Sequence, residues 1–302
     1  MRKLDLKAYA KINLTLDVTG TRPDGYHEIS TVMQFIGLYD NVCVKWTEGK
    51  TAGIEIETAS NRRYLPTDKR NIAYKAAELM AERYEILKKF GPGKVRIDIK
   101  KQIPVAAGLG GGSADGAAVL HALSDIWGLS LSLEELCRLG AEIGSDVPFC
   151  VMGQAGIMCA LAEGTGTELT PVSRGIESFI VLSKPPVSVS TAAVYKGFDQ
   201  IEDTDFERPD TKALIAALAK NDLTAAGQNM INVLENYTLK AYPLVEQTKE
   251  VMISETQPVK ALMSGSGPTI IGFYEDKEKA EAAREKMAAL NKDTFLTRTL
   301  IK

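Results

Sequence analysis

The amino-acid sequence predicts an α+β protein with a glycine-rich loop at its centre. Strand-like segments, in which every second residue is apolar, are mixed with segments of helical spacing, and the two kinds do not alternate strictly as in a doubly wound sheet. The loop, residues 104–113, follows a strand-like run at 95–103 and leads into an alanine-rich, helix-like run at 114–127. With 302 residues the chain is long enough for one large domain or two moderate ones.

The composition is that of an ordinary globular protein, and it argues against several kinds of partner. The 36 Lys and Arg residues nearly balance the 39 Asp and Glu residues, so a net charge of −3 gives no reason to expect nucleic acid or an anionic membrane. The four cysteines have no C-x-x-C spacing, which predicts reduced thiols, and two histidines without a cysteine cluster argue against a zinc site. No signal peptide or membrane-spanning run is recognisable, so we expect a cytoplasmic protein.

Patterning predicts the elements of the first half. Alternating apolar residues predict the strands, and helical spacing predicts a helix before the glycine-rich loop. Ser132, with Glu135 three residues later, forms a capping box that opens a helix ending at Gly144. The predicted elements are strands at 4–18, 29–35, 41–46 and 54–57, a helix at 71–88, the strand and helix around the loop, a helix at 132–143 and a strand at 155–161.

The second half is predicted to separate from the first near residues 161–171, which gives domains at 1–165 and 166–302. Its elements are again read from apolar spacing, and an acidic linker at 199–207 divides them. They are a strand at 179–183, helices at 191–198, 210–220, 223–229 and 244–255, strands at 260–263 and 268–274 joined by Ser-Gly-Ser-Gly at 264–267, a helix at 275–290 and a strand at 294–300.

The glycine-rich loop is suited to hold phosphate groups. Its glycines allow positive φ angles and close approach of a ligand, and the helix that follows offers unpaired N–H groups and the positive end of its dipole. The motifs G-x-x-x-x-G-K-[ST] and G-x-G-x-x-G are both absent, and a flexible hairpin loop is the alternative. Ser113 is expected to cap the helix or to place a hydroxyl near phosphate-bound Mg²⁺. The predicted ATP-binding residues are Pro104, Val105, Ala106, Ala107, Gly108, Leu109, Gly110, Gly111, Gly112, Ser113 and Ala114.

A lysine and an asparagine share one face of the first strand. Ile12, Leu14 and Leu16 recur at every second position, so Lys11 and Asn13 are expected to point to the opposite face. A polar pair on one face is a candidate for contact with a ligand. The alternative is a half-exposed strand with a solvated lysine.

An aromatic residue and a histidine directly follow a tight turn. In Pro-Asp-Gly at 23–25, proline presets φ and glycine takes the left-handed position. Tyr26 and His27 come next, and this pair is suited to stack on a heteroaromatic ring and to hydrogen-bond its edge. A plain hairpin turn accounts for Pro-Asp-Gly but not for the pair.

One acidic residue has mostly apolar neighbours in the sequence. Asp146 lies between the end of a helix and a Val147-Pro148 step that favours extended backbone. Helix capping or a structural salt bridge is the alternative to a chemical role. Phosphoryl transfer needs positive charge, positioning and a base, and here Lys11 can supply the charge and Asp146 the base. A nearby lysine would also keep the aspartate ionised.

Five motifs resemble those of the GHMP kinase superfamily. Pro-Val-Ala-Ala-Gly-Leu-Gly-Gly-Gly-Ser at 104–113 resembles its central motif, and Ser-Gly-Ser-Gly at 264–267 resembles its third motif. Ala-Lys-Ile-Asn-Leu at 10–14, Asp-Gly-Tyr-His at 24–27 and Ser-Asp-Val-Pro-Phe at 145–149 resemble the branch that phosphorylates a cytidine diphosphate-linked methylerythritol in non-mevalonate isoprenoid biosynthesis. The resemblance implies a two-domain GHMP kinase fold, with an N-terminal domain like ribosomal protein S5 domain 2 and a ferredoxin-like C-terminal domain.

The resemblance also implies roles for single residues. Lys11 and Asp146 match the catalytic pair, in which Asp146 deprotonates the 2-hydroxyl of the substrate, with ATP as co-substrate and Mg²⁺ expected. Tyr195 falls where the family has a second aromatic beside the cytosine. Two residues depart from the family: Ala114 replaces a second serine, which leaves the metal ligands unassigned, and Gly116 costs its helix about 1 kcal/mol relative to alanine. The implied substrate-binding residues are Asn13, Tyr26, His27, Thr191, Tyr195, Gly265, Ser266 and Gly267.

Two other functions are left open. One is a GHMP kinase that acts on mevalonate, homoserine or a sugar, and lack of the Tyr26-His27 pair would have favoured it. The other is a non-catalytic nucleotide-sensing regulator on the same fold, which should have lost Lys11 or Asp146. The expected partners are ATP and a cytidine diphosphate-linked alcohol, and the protein is expected to be a monomer or a weak homodimer.

Overall fold

The computed structural model of the chain describes residues 2–49, 52–202 and 206–301. Strands and helices are mixed along these ranges, as the predicted α+β class requires, and no helix in them is long and apolar enough to cross a membrane. The strands are β1 (Arg2–Asn13), β2 (Asp17–Thr21), β3 (His27–Glu48), β4 (Ile54–Ser60), β5 (Gly93–Lys100), β6 (Cys159–Glu163), β7 (Glu168–Pro171), β8 (Phe179–Lys184), β9 (Lys260–Met263), β10 (Ile270–Tyr274) and β11 (Asp293–Arg298). The helices are α1 (Ile72–Arg83), α2 (Ile86–Phe90), α3 (Gly111–Ile126), α4 (Leu133–Ile143), α5 (Val147–Gln154), α6 (Thr191–Phe198), α7 (Thr211–Lys220), α8 (Leu223–Asn229), α9 (Glu235–Ala241), α10 (Pro243–Thr256) and α11 (Lys277–Leu290).

The structure corrects several of the predicted elements. The first predicted strand is broken, because β1 ends at Asn13 and β2 begins at Asp17, whereas the next two predicted strands are one continuous strand, β3. The expected extended step at Val147-Pro148 is wrong, since both residues open helix α5. Proline fits the first turn of a helix because the N–H that it lacks would have no partner there. Residues 203–205 of the predicted acidic linker lie outside the described residues.

Close contacts divide the chain into two compact units that do not follow one another in sequence. These units differ from the predicted domains, 1–165 and 166–302, because segments of the two units alternate along the chain. The domain boundaries stay a prediction. The first unit comprises the described residues of Met1–Ala10, Leu38–Val105 and Gly110–Ile157, and the second comprises those of Lys11–Gly37, Ala106–Leu109 and Met158–Lys302.

The first unit combines sheet strands with the helix that follows the glycine-rich loop. β5 pairs in parallel with β4 and antiparallel with the 41–48 part of β3, and α3 packs against α1 and α5. Trp46 and Trp127 meet edge to face with ring centroids 5.8 Å apart. Gly116 is explained by close helix packing, because a Cβ there would lie 2.6 Å from Cγ2 of Ile72 in α1. The glycine that weakens α3 therefore lets α1 approach it.

The second unit contains a four-stranded antiparallel sheet in the order β11-β8-β10-β9. Chain order runs from β8 through helices to β9 and β10, and then through α11 to β11, which is the β-α-β-β-α-β arrangement of a ferredoxin-like fold. Val181, Met252, Ile270 and Met287 belong to the buried apolar core that joins this sheet to α10 and α11. In the rest of the unit, the 27–34 part of β3 pairs with β2 and β6.

Candidate active site

Lys11 and Asn13 form a buried polar pair in the second unit. Lys11 Nζ donates a hydrogen bond to Asn13 Oδ1 at 2.9 Å, and the two residues are only 4% and 2% exposed. The alternative of a solvated lysine is therefore wrong. A buried ammonium group has to be held by polar partners, and the amide oxygen of Asn13 is one of them.

The amide of Asn13 is oriented by two threonines behind it. Its Nδ2 donates to Thr31 Oγ1 at 2.9 Å, and that hydroxyl donates its own proton to the carbonyl of Thr15. Because the Thr31 proton is already committed, its oxygen can only accept from Asn13, which leaves Oδ1 facing Lys11. The direction of the Asn13 amide thus follows from the hydrogen-bond network.

Three of the motifs meet in the second unit. The backbone N–H of Lys11 donates to the carbonyl of Leu109 at 3.0 Å, and Ser264 Oγ donates to the carbonyl of Gly108 at 2.9 Å. Gly108 has a φ of +73°, and a Cβ there would lie 2.2 Å from the Ser264 carbonyl. A Cβ on Gly265 would lie 3.5 Å from Asn13 Oδ1. Glycine is therefore needed at 108, where the two glycine-rich loops touch.

The end of the glycine-rich loop opens helix α3 in the first unit. The N-cap residue is Gly110, with a φ of +67°, and no side chain caps the helix. The prediction that Ser113 is the N-cap is wrong, because the helix already begins at Gly111. Uncapped N–H groups at a helix start favour an anion, so this end of α3 retains the properties expected of a phosphate site.

A buried ion cluster, which we call the Lys101 cluster, lies at the base of this loop in the first unit. Lys101 Nζ contacts Oδ2 of Asp40 and lies 2.8 Å from Oδ2 of Asp115. Asp40 Oδ1 also accepts the backbone N–H groups of Gln102 and Ile103. The cluster joins the end of β5 to the first turns of α3. Sequence reasoning missed it entirely.

The Lys101 cluster contains two carboxylates and one ammonium group, and this imbalance shifts its pKa values. Burial raises the pKa of Asp115 to about 7, and the negative charge of Asp40 acts in the same direction. The positive charge of Lys101 lowers this pKa but does not outweigh the other two effects. Burial alone would lower the pKa of Lys101, but the charges of Asp115 and Asp40 outweigh it and raise that pKa. Asp115 Oδ1 is buried and has no hydrogen-bond partner among the described residues.

Asp146 lies in the first unit, at the residue before α5. It occupies the N-cap position, but its side chain makes no capping hydrogen bond, so the alternative of helix capping is wrong. The residue is half-buried. Lys11 and Asp146 thus belong to different units, and their joint action is taken up as a proposal below.

Two groups of predicted substrate-binding residues lie in the second unit, one around His27, which is the predicted cytosine site, and one around Thr191. His27 Nε2 lies 2.7 Å from Asp199 Oδ1. The ring centroids of His27 and Tyr195 lie 4.8 Å apart, and the angle between the two ring planes is 34°. Thr191 and Ser266 share a hydrogen bond of 2.9 Å between their hydroxyls. Tyr26 is 69% exposed. Asp199 was missed by sequence reasoning because it opens an acidic run, although it stands one helical turn beyond Tyr195.

Comparison with known families identifies the class of protein. The model of the GHMP kinases N terminal domain matches residues 71–154, and the model of the GHMP kinases C terminal domain matches residues 214–293. The fold agrees: the solved structures of a mevalonate kinase from L. major and a homoserine kinase from Cytophaga hutchinsonii align with TM-scores of 0.74 and 0.71. The mevalonate kinase is 16% identical over 98% of this chain and 96% of its own. The homoserine kinase is 18% identical over 100% of this chain and 95% of its own. At these identities the two alignments show the fold alone.

Full-length relatives narrow the assignment. A protein from Clostridium kluyveri named 4-diphosphocytidyl-2-C-methyl-D-erythritol kinase is 46% identical over 98% of this chain and 99% of its own. One of the same name from Alkaliphilus oremlandii is 42% identical over 99% of this chain and 97% of its own. The crystal structure of a 4-(cytidine 5′-diphospho)-2C-methyl-D-erythritol kinase aligns with a TM-score of 0.79 at 30% identity, over 98% of this chain and 99% of that one. The chain belongs to the 4-diphosphocytidyl-2-C-methyl-D-erythritol kinase family of the GHMP kinases. The two-domain GHMP kinase fold predicted from the motifs is confirmed.

Proposed function

We propose that this protein transfers the γ-phosphoryl group of ATP to the 2-hydroxyl of 4-diphosphocytidyl-2-C-methyl-D-erythritol, a step of non-mevalonate isoprenoid biosynthesis. The observation that carries the proposal is the buried Lys11–Asn13 pair, set against both glycine-rich loops in a chain whose full-length relatives are named for this kinase. A fixed positive charge beside phosphate-binding loops is what a transferring phosphoryl group requires.

The phosphates of ATP are proposed to bind along residues 104–114. Backbone N–H groups at the uncapped start of α3 donate to the phosphate oxygens, and the helix dipole adds to their attraction. Lys11 then neutralises charge on the transferring group, with its direction set by Asn13. Preorganised charge of this kind needs little rearrangement during the reaction.

Asp146 is the proposed general base. Its carboxylate accepts the proton of the 2-hydroxyl, and the oxygen forms a bond to the γ-phosphorus. The bond from that phosphorus to the β–γ bridging oxygen breaks, and ADP leaves with the electron pair. The position of Asp146 before α5, without a capping hydrogen bond, is consistent with a role outside helix stabilisation.

The cytidine end of the substrate is proposed to lie beside Tyr26, His27 and Tyr195. The exposed ring of Tyr26 and the half-buried ring of Tyr195 offer faces for stacking, and His27 offers a hydrogen-bonding edge. Thr191, Gly265, Ser266 and Gly267 are proposed to contact the rest of the substrate, because the Thr191–Ser266 hydrogen bond brings α6 and the Ser-Gly-Ser-Gly loop together.

Mg²⁺ is proposed to arrive with the nucleotide. The described residues contain no group of three or more His, Cys, Asp or Glu side chains that could hold a metal ion by themselves. Mg²⁺ commonly binds through substrate phosphates, water and one or two protein oxygens, and the Ser113 hydroxyl at the start of α3 fits that role. There the ion would neutralise phosphate charge. We further propose a cytoplasmic protein that acts as a monomer or a weak homodimer.

A substrate panel tests the proposed function. Consumption of ATP is measured with cytidine diphosphate-linked methylerythritol, free methylerythritol, mevalonate and homoserine, and the phosphorylated position is read by NMR. We expect turnover of the cytidine-linked compound alone, with the phosphate on its 2-oxygen. Equal activity on free methylerythritol would leave only a general GHMP kinase.

The catalytic pair is tested by Asp146→Asn and Lys11→Ala. Each substitution is expected to lower kcat by about 10²–10⁴. Asp146→Asn removes the base, and Lys11→Ala removes the positive charge that neutralises the transferring phosphoryl group. The double variant should be little slower than the worse single variant, since residues that act as a unit are not additive. Asp125→Asn removes an exposed carboxylate from α3 and is the control. Near-normal turnover by Asp146→Asn would make that residue a structural acid.

A further inference from the structure

The contact between His27 and Asp199 has no role in the reaction described so far. Asp199 is the C-cap residue of α6, and its N–H donates to the carbonyl of Tyr195 one turn earlier. Residues four apart lie on the same face of a helix, so α6 presents the Tyr195 ring and the Asp199 carboxylate side by side. The ring of His27 meets both of them, at 4.8 Å between ring centroids and 2.7 Å between Nε2 and Oδ1. Helix α6 thus fixes the plane of this imidazole.

The same contact also decides which nitrogen of His27 carries the proton. A carboxylate can only accept a hydrogen bond, so the Nε2 atom that faces Asp199 must be the donor. In the neutral ring the other nitrogen, Nδ1, is then left with a lone pair and no proton. No hydrogen bond to Nδ1 is found in the described part of the chain, and the side chain retains 12% exposure. In its neutral form, His27 therefore offers an approaching ligand a hydrogen-bond acceptor at Nδ1.

We propose that Asp199 is a specificity-determining residue that makes this pocket read the amino group of a cytosine. Cytosine carries an amino donor at C4, where uracil carries a carbonyl acceptor. The Nδ1 lone pair can accept a hydrogen bond from the amino group of cytosine. The carbonyl oxygen of uracil has no proton to donate, so its lone pairs would face the lone pair of Nδ1. The inference rests on the proposed function, because it concerns recognition of the same substrate.

The expected discrimination is large because the His27 side chain is polar and only 12% exposed. A site that is built to hydrogen-bond a group can reject an analogue lacking it by up to about 10⁴–10⁵, since its own polar atom is then left unpaired. The partial exposure of His27 lets water relieve part of this penalty. We therefore expect a preference of about 10²-fold or more for the cytidine-linked over the uridine-linked substrate in kcat/KM.

The test measures kcat/KM for both substrates in the wild type and in Asp199→Asn. Asparagine keeps the shape, but its amide can either donate to or accept from Nε2, so both tautomers of His27 become available. We expect the preference for cytidine to fall about tenfold or more, mostly through the KM of the nucleotide-linked substrate, with the KM of ATP unchanged. Glu281→Gln, which removes one carboxylate from an exposed ion pair on α11, should leave the preference unaltered.

A double-variant comparison separates positioning from general disturbance. If Asp199 acts through His27, Asp199→Asn should have little further effect on the preference in a His27→Asn background. An unchanged preference in Asp199→Asn, an equal effect in both backgrounds, or wild-type preference for the uridine-linked substrate would each overturn the inference. A wild type that phosphorylates neither substrate would instead overturn the proposed function. The two failures are therefore distinguishable.

Discussion

The Lys101 cluster and the His27–Asp199 pair use the same chemistry in different surroundings. Each holds a nitrogen group against carboxylate oxygen at hydrogen-bond distance. In the cluster the side chains of Lys101, Asp40 and Asp115 are at most 5% exposed, whereas His27 and Asp199 are 12% and 39% exposed. The Lys101 cluster lies at the base of the glycine-rich loop, and the His27–Asp199 pair lies beside the proposed cytosine site.

Burial decides what a charged group can do. Charge that is removed from water has to be balanced by the protein itself, so the Lys101 cluster contributes mainly to fixing β5 against α3. The His27–Asp199 pair is partly solvated and retains a ring nitrogen for a ligand. Pairs of this second kind contribute little to stability, which leaves them available for recognition.

The largest effect is expected for Lys101→Met. Methionine has a similar length but no charge, so two buried carboxylates lose their cation, and breaking a buried ion pair costs about 3–5 kcal/mol. Urea unfolding followed by circular dichroism measures the loss. The control is Lys45→Met, whose partner Asp98 is a third exposed, and it should cost no more than about 1 kcal/mol.

A rescue variant keeps this prediction testable if Lys101→Met does not fold. Adding Asp115→Asn removes one of the two uncompensated carboxylates and should recover part of the lost stability. Equal losses for Lys101→Met and Lys45→Met would contradict the stronger dependence of the buried cluster on its cation.

A smaller effect is expected in the pH dependence of stability. Because burial raises the pKa of Asp115 from 3.8 to about 7, the folded protein retains this proton over a range where the unfolded chain has released it. Its contribution to stability is thus fully present below about pH 4 and is lost as the pH rises through 7. Asp115→Asn mimics the protonated form at every pH. Wild type should therefore lose stability relative to Asp115→Asn between pH 4 and 8, and a constant difference in unfolding free energy would contradict the shift.

The smallest effect is expected for the unfolding free energy of Asp199→Asn. The hydrogen bond from the neutral His27 ring to Asp199 is partly solvated and contributes at most about 1 kcal/mol, so the urea midpoint should scarcely move although the substrate preference changes. A loss as large as that of Lys101→Met would show that the His27–Asp199 pair is structural as well.

Local patterns in the sequence were sufficient for some features of the site. The alternation of apolar residues around Ile12 placed Lys11 and Asn13 on one face, because side-chain direction in a strand depends only on spacing. Four glycines before a helical run likewise predicted a loop that opens a helix, and the role of that loop in binding phosphate stays a prediction. The role of Asp146 stays a prediction, although its capping alternative is excluded.

Features that depend on distant contacts could not be predicted. Lys101 is 61 positions from Asp40 and 14 from Asp115, and nothing in either spacing indicates an ion cluster. Asp199 lies 172 positions from His27, in an acidic run that is typical of a solvated linker. The helix at 147–154 was missed because a proline suits both an extended step and the first turn of a helix.

The contact between Gly108 and Ser264 has a mechanical consequence. A backbone carbonyl fills the space that a side chain at 108 would take, so neither loop can shift far without displacing the other. If ATP binds along the first loop as proposed, the loop at 264–267 that is proposed to contact the second substrate would be restrained together with it. The proposed sites of the two reactants would thus be linked by one hydrogen bond within the second unit.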